Sequence, residues 1–568
     1  MVRKLFISIG CLLLASFNSQ AANYYLDANG NDGNSGASPS EAWESFRNIR
    51  TVSFSPGDTI ILKSSQTHFG ELALINQKGS VDNPIVIKSS NPAKPAKIDA
   101  NGYLNGIYLN NCSHIVVRDL IISANGGGVK QVAKNPVKKW QKASNKQSGT
   151  VKPLMRCGVL VKQTNMKTYE DVTLKNLHIE DVFFNDEGFT RDSDEVRTAN
   201  GTGAYGWGIR FINAAKGAQL NGIVISDCTI ENIAHTGIKF TTPAKGIKNV
   251  KVYRNKVLNV GGPGVQIGGV VNGHISENYV NKSGSPSDSR KWGRGSGLWT
   301  WGVDTVLIEN NYFINANGPA DSAGAHIDFN CKNVVFQYNF SANNAGGFVE
   351  ILGNNHNCSY RYNVSVNDGY RIKKAGAHSQ EGKILWLSGF VGKDDAKHGP
   401  YNSYIYNNTI YTKANVEAKV SFFSGAKGVL IANNIICTEG KIRNVGGDQN
   451  NLQKWKKKKK KVPATASANP VKNLIFKNNL YLKADRWPVD CLEKDSAPVY
   501  GDPKFKKSGG MKISDYIPAA EVLIKDKGIE IDTLPGDSVG LKLGLKVEKD
   551  ILGNPVKGLP DMGAIEIK

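Results

Sequence analysis

After its N-terminal stretch the sequence has no run of about 20 apolar residues, so no membrane-spanning helix is expected. It has no CxxC pair and no Cys/His cluster at zinc spacing, although eight cysteines are present. Cys112, Cys228, Cys331, Cys358 and Cys437 fall in different repeats, which predicts buried thiols rather than a disulfide framework or a zinc site. Helical apolar periodicity is scarce while glycine is abundant, at 60 residues, which points to a turn-rich β protein. Acidic residues are outnumbered, 49 against 71 Lys and Arg, giving a formal net charge of +22. Such an excess favours anionic partners through long-range steering.

The N-terminus supplies a different signal. Arg3 and Lys4 precede an apolar stretch from Leu5 to Phe17, and Ser19-Gln20-Ala21 resembles a small-residue cleavage site. Residues 1–21 therefore read as a cleavable export signal, and a periplasmic or secreted protein is expected. Export argues against nucleic acid as the anionic partner and for an acidic or sulfated polysaccharide. The run Lys456 to Lys461, beside Trp455, reads as a solvated loop.

From about residue 100 one phrase recurs: β-branched or aromatic residues in alternation, then Asn, then a second apolar run. It reads VISDCTIENI (224–233), VKVYRNKVLNV (250–260), VLIENNYF (306–313), YIYNNTIY (404–411) and VLIANNIIC (429–437), at intervals of mostly 22 to 33 residues. A repeat of this length without helical patterning predicts a stacked β solenoid. The Asn after each strand turns the backbone, and its amide can pair with the coils above and below.

A second strand family, each opening with Gly, runs in step with the first: GIRF (208–211), GIKFT (237–241), GVQIG (264–268), GLWTW (297–301) and GAHID (324–328). Side chains alternate between faces along a strand. Ile238/Phe240, Val265/Ile267, Leu298/Thr300, Ala325/Ile327 and Val349/Ile351 mark the core face. The outer face then carries Arg210, Lys239, Gln266, Trp299, Trp301, His326, Asp328, Phe348 and Glu350, and reads as a binding groove.

In these features the chain resembles the right-handed parallel β-helix carbohydrate-active enzymes, the pectate-lyase-like superfamily, over nearly its whole mature length. Residues 24–46 and 53–62 look like their N-terminal cap, and 550–567 like their closing segment. The expected organisation is an export signal (1–21), an N-terminal cap with the first coils (22–100), a parallel β-helix (101–485) and a C-terminal closing segment (486–568). Insertions are expected near 129–153, 281–296, 367–400 and 440–470. The fold hosts hydrolases, lyases, epimerases and adhesins, so the reaction must come from the site.

Asp328 and Glu350 each sit four residues beyond a repeat glycine, Gly324 and Gly346, and 22 residues apart. That spacing predicts neighbouring strands about 4.8 Å apart. Two such close carboxylates divide into acid and base, as a retaining glycosidase requires. HIDF (326–329) followed by GGFVEILGNN (346–355) is similar to the catalytic stretch of β-helix xylosidases of glycoside hydrolase family 120, which implies a carboxylate pair here. The sequence departs from that pattern in placing GLWTWG one coil too early and in lacking a histidine phrase after the Glu.

Around the pair, Trp299, Trp301 and Trp386 offer indole faces for sugar stacking, and Phe348 lies on the same strip. His326 is a candidate proton carrier. Arg210, Lys239 and Arg294 can grip a sulfate or uronate, with Gln266 between them and the tryptophans. No cofactor is required on this reading. Calcium held by the Asp328/Glu350 pair is the alternative, while Asp27, Asn29, Asn31 and Asp32 near Gly33 read as a turn-rich cap without the twelfth-position acid of a calcium loop. The leading expectation is a glycoside hydrolase on an anionic chain. Two alternatives stand: β-elimination on a uronic acid with Arg210 or Lys239 as neutraliser, and a non-catalytic binding solenoid. A capped solenoid needs no second copy, so a monomer is expected.

Overall fold

The computed structural model describes residues 21–124, 156–182, 206–284, 295–318, 321–372, 381–392, 395–445 and 469–568. The expected export signal, the 129–153 insertion and the Lys456 to Lys461 run lie outside these residues, as does Arg294.

Among the described residues the strands form one 12-stranded and one 26-stranded sheet. Successive coils pair in parallel, for example Val265↔Leu298 in the smaller sheet and Val252↔Ile275 in the larger. A middle coil contributes three strands, Val265–Gly268, Val270–Ser276 and Tyr279–Ser283. The result is an all-β parallel β-helix solenoid. Its apolar interior includes Ile238, Phe240, Val265, Ile267, Leu298, Ile327, Val349 and Ile351, the face expected from alternation.

The recurrent asparagines form one continuous ladder. The Asn278 amide donates to Asn311 Oδ1 at 2.9 Å, Asn311 to Asn339 at 2.9 Å, and Asn339 to Asn363 at 3.1 Å. Asn363 continues to Asn408, Asn434 and Asn479, and the ladder closes on Asp495. The residue before each ladder Asn takes positive φ, as at Asn310 (56°) and Asn407 (51°), a conformation Asn tolerates better than most side chains. In each Asn-Asn pair the first residue turns the chain and the second ties the coils.

The repeat glycine has a packing cause. A Cβ on Gly264 would stand 2.3 Å from Val280 Cγ1 and 2.6 Å from the Gly297 carbonyl oxygen. Only a bare backbone lets the corner press against the opposite wall. All seven described cysteines are buried and free, as expected, and burial pushes the Cys331 thiol up to about 12.

A shorter ladder ends on Asp368, which is fully enclosed and accepts the Asn344 N–H at 2.9 Å and the Ser365 hydroxyl at 2.8 Å. Burial raises its carboxyl to about 7. A folded value above the unfolded one means its contribution to stability is complete at low pH and lost as pH climbs towards 7. Asp368→Asn is therefore expected to melt progressively higher than the wild type between pH 4 and 7, with the gap constant above. Thermal unfolding across that range checks it; a gap that does not change with pH contradicts the assignment.

The N-terminal Asx residues serve turns. Asn31 Oδ1 accepts the Gly33 N–H, Asp32 Oδ1 accepts the Glu44 and Ser45 N–H groups, and Asp27 pairs with Lys63 at 2.5 Å. The C-terminal segment does more than close the end. It returns along the outer flank of the larger sheet, where Asp537 accepts the Asn357 amide at 3.0 Å, Gly544 O accepts from Arg361 at 2.6 Å, and Lys549 O accepts from Tyr338 at 2.7 Å. Leu534, Leu541 and Val547 pack there on Tyr362, Tyr404 and Tyr406. This strap reaches as far back as Thr305, which accepts from Lys542.

Candidate active site

The site lies on the outer face of the 12-stranded sheet. Register places Arg210, Lys239, Gln266, Trp299 and His326 in one column. Glu350 follows, because Ile327 pairs with Ile351, and then Trp386 and Ser421. Glu350 is thus the direct neighbour of His326, not of Asp328. The expected face-to-face carboxylate pair is a diagonal one: one strand across and two residues along, about 8 Å between Cα atoms.

The cause of the offset is the double glycine. Gly347 has φ of 119°, and a Cβ there would fall 1.9 Å from the Lys383 carbonyl oxygen. The chain turns at Gly347 before the regular alternation begins. Phe348, expected in the groove, consequently enters the core, where its ring meets Tyr360 edge-on at 5.7 Å.

Asp328 is held tightly. Trp299 Nε1 donates to its Oδ2 at 2.5 Å and the Phe329 N–H to its Oδ1 at 2.9 Å. Two N–H donors favour the ionised carboxylate and fix its direction. Trp299 is accordingly a buried wall residue, 7% exposed, rather than an open stacking surface. The His326 ring lies 5.7 Å from the Trp299 ring, and its Nδ1 is hydrogen-bonded to the Ser296 hydroxyl at 3.0 Å. His326, Asp328 and Glu350 are all buried.

Beyond Glu350 stands a group of cations that sequence reasoning missed. Burial holds the Arg371 guanidinium below its ordinary value, against the opposing pull of Asp321, Tyr370 and Glu350, and it donates to Gly318 O. Lys383 Nζ sits 3.7 Å from the centre of the Trp386 ring, so that indole is covered as well as buried. Lys419, fully enclosed, is lowered to about 8 by burial. Asp321, buried and facing Arg371, adds a third carboxylate to the neighbourhood. The only advance signal was its place in the loop ahead of the HID phrase.

The cations that the sequence suggested stand elsewhere. Arg210 is four rungs from His326, its guanidinium 4.2 Å from the Trp207 ring centre, and burial lowers its pKa. Lys239 is three rungs away, roughly 14 Å. Trp301 is 44% exposed and open for stacking.

Among the described residues one group of side chains is spaced to hold a metal, His178, Glu180 and Glu231, on the other sheet. Lys97 already pairs with Glu180 there at 2.9 Å.

The family model described as right handed beta helix region matches residues 207–384, the coils that carry the site. A lacto-N-biosidase of Bifidobacterium longum subsp. longum is 24% identical, the alignment covering 97% of this chain and 37% of that protein. The crystal structure of a GH136 lacto-N-biosidase from Eubacterium ramulus superposes on 69% of this chain and 64% of that one, at 20% identity and a TM-score of 0.50. The complex of XylC with xylose aligns over 96% of this chain at 11% identity and a TM-score of 0.47. This chain therefore spans little more than a third of the curated relative's length and under two thirds of the Eubacterium chain. The likeness to the β-helix carbohydrate-active enzymes stands, and the chain folds as a right-handed parallel β-helix.

Proposed function

We propose that the protein is an exported glycoside hydrolase acting on an anionic polysaccharide or its oligosaccharides. The observation that carries the reading is the convergence of Asp328, Glu350 and His326, all buried, on neighbouring rungs of one outer face. Asp328, oriented by Trp299 and Phe329, serves as nucleophile or base. Glu350 serves as acid/base, with His326 between Glu350 and Trp299 carrying or positioning a proton. Asp321 is the other carboxylate able to take the acid role, since it too faces Arg371. The likeness to lacto-N-biosidase, a glycoside hydrolase, supports hydrolysis. The net charge of +22 and the cations Arg371 and Lys383 support an acidic substrate.

Elimination on a uronic acid keeps one observation in its favour. Arg371 faces Glu350, the direct neighbour of His326, and could neutralise a substrate carboxylate so that a base can take the C5 proton. Mass spectrometry with parallel ultraviolet absorbance on acidic oligosaccharides separates the two reactions. The expected result is products that together gain one water, with no new absorbance. Cleavage without water and with rising absorbance would overturn hydrolysis in favour of elimination.

A further inference from the structure

A row of aromatic rings runs beside the carboxylates, and no catalytic step uses it as a whole. Trp301 lies two residues beyond Trp299 and emerges on the same face, but with 44% of its surface open against 7%. Its ring meets Phe329 edge-on, with centroids 6.0 Å apart at 73°. Phe329 meets Phe390 in the same manner, at 5.6 Å and 87°. None of the three rings belongs to a core cluster of the described residues.

The rings come from three of four consecutive levels of the solenoid. Trp301 ends the strand Leu298–Trp301, Phe329 follows Ala325–Ile327 on the next coil, and Phe390 follows Lys383–Leu387 two coils further on. The row therefore runs along the long axis. It passes Asp328 on its way, because Phe329 is the next residue and gives that carboxylate its N–H. Aromatic rings that are partly open and partly packed suit ligands with an apolar face and a wet edge, and the C–H face of a sugar ring is such a surface. Rings on three of four coils, each about 4.8 Å from the next, give that surface along one line, which suits a chain of sugar units.

We propose that Trp301, Phe329 and Phe390 form a platform that carries sugar units on both sides of Asp328, so that the protein selects long oligosaccharides over disaccharides. This deepens the hydrolase reading and rests on it for the identity of the occupant.

The test is calorimetric binding of xylo-oligosaccharides and alginate oligosaccharides, of two and six units, to the full-length Asp328→Asn protein. The same background is then measured with Trp301→Ala or Phe390→Ala added. For at least one series the six-unit probe is expected to bind at least about tenfold more tightly than the two-unit probe. Each alanine should remove about tenfold of that advantage. Equal affinity at both lengths overturns the platform, as does a length advantage that survives both substitutions, or no binding of either series. Products of the six-unit probes with wild-type protein test the hydrolase reading separately. Turnover without a length effect sinks the platform alone, whereas a length effect without turnover sinks hydrolysis and leaves a binding solenoid.

Discussion

Asp328→Asn is expected to lower kcat/KM by at least about 10³-fold while the protein remains folded. The amide keeps the shape of the side chain but loses the charge, and with it the ability to attack or to accept a proton. It also offers one acceptor oxygen where the carboxylate has two, so Trp299 Nε1 and the Phe329 N–H, at 2.5 and 2.9 Å in the wild type, compete for it. One donor left unmet costs about 1–3 kcal/mol, a visible but survivable drop in the melting temperature. Glu350→Gln should separate from it on substrates with an easily expelled aryl leaving group, which need no acid. There the acid/base variant keeps much of its rate and the nucleophile variant does not. Asp321→Asn beside it identifies which carboxylate holds the acid role. Wild-type turnover in Asp328→Asn would remove this residue from the mechanism.

The largest expected effect on folding comes from Asn339→Ala. In the ladder Asn339 Oδ1 accepts both the backbone N–H and the amide of Asn311, at 3.0 and 2.9 Å. Its own amide donates to Ile308 O, Gln337 O and Asn363 Oδ1. Alanine takes this side chain away from the Asn311 N–H, Ile308 O and Gln337 O inside the solenoid. The Asn311 amide keeps Ile275 O and Glu309 O, and Asn363 Oδ1 keeps the Asn339 N–H. At about 1–3 kcal/mol for each buried group left unsatisfied, the total approaches the whole stability of an ordinary domain, about 5–15 kcal/mol. Soluble yield should collapse, and limited proteolysis of any recovered protein should cut in the coils on either side. An Asn339→Ala protein that melts like the wild type would show that the ladder adds little.

These two residues also mark what could be read in advance. The ladder was legible because its cause is local: Asn follows the strand in most repeats, and only a turn that also bridges coils asks for that. The core face was legible because Val265/Ile267 and Val349/Ile351 alternate as a half-buried strand must. The register of Glu350 was not. It depends on which residue of GGF takes the corner that Gly324 holds one coil earlier: Phe348 does, so it turns inward and Glu350 lies two residues along from the expected place. The burial of Trp299 and Trp386 was equally out of reach, because it depends on Asp328 and Lys383 closing over them. Arg371 was hidden for a related reason: it joins the site from a connection between coils, which carries no periodicity to place it.

The C-terminal strap has a consequence for how such a chain can change over time. It lies across the flank where one strand of the larger sheet turns into the next, touching Tyr338, Arg361, Tyr404 and Asn433. An added residue at any of those corners would have to lift the strap, so that edge of the molecule is closed to growth. The opposite corner, which leads into the strands bearing Trp299, His326 and Glu350, carries no such lashing among the described residues. Segments 125–155, 183–205, 285–294 and 373–380 all enter the sequence there. A change of loop at that corner leaves the strap untouched, and it is the corner that looks onto the carboxylates. New specificities can be grafted beside the site without retuning the stack.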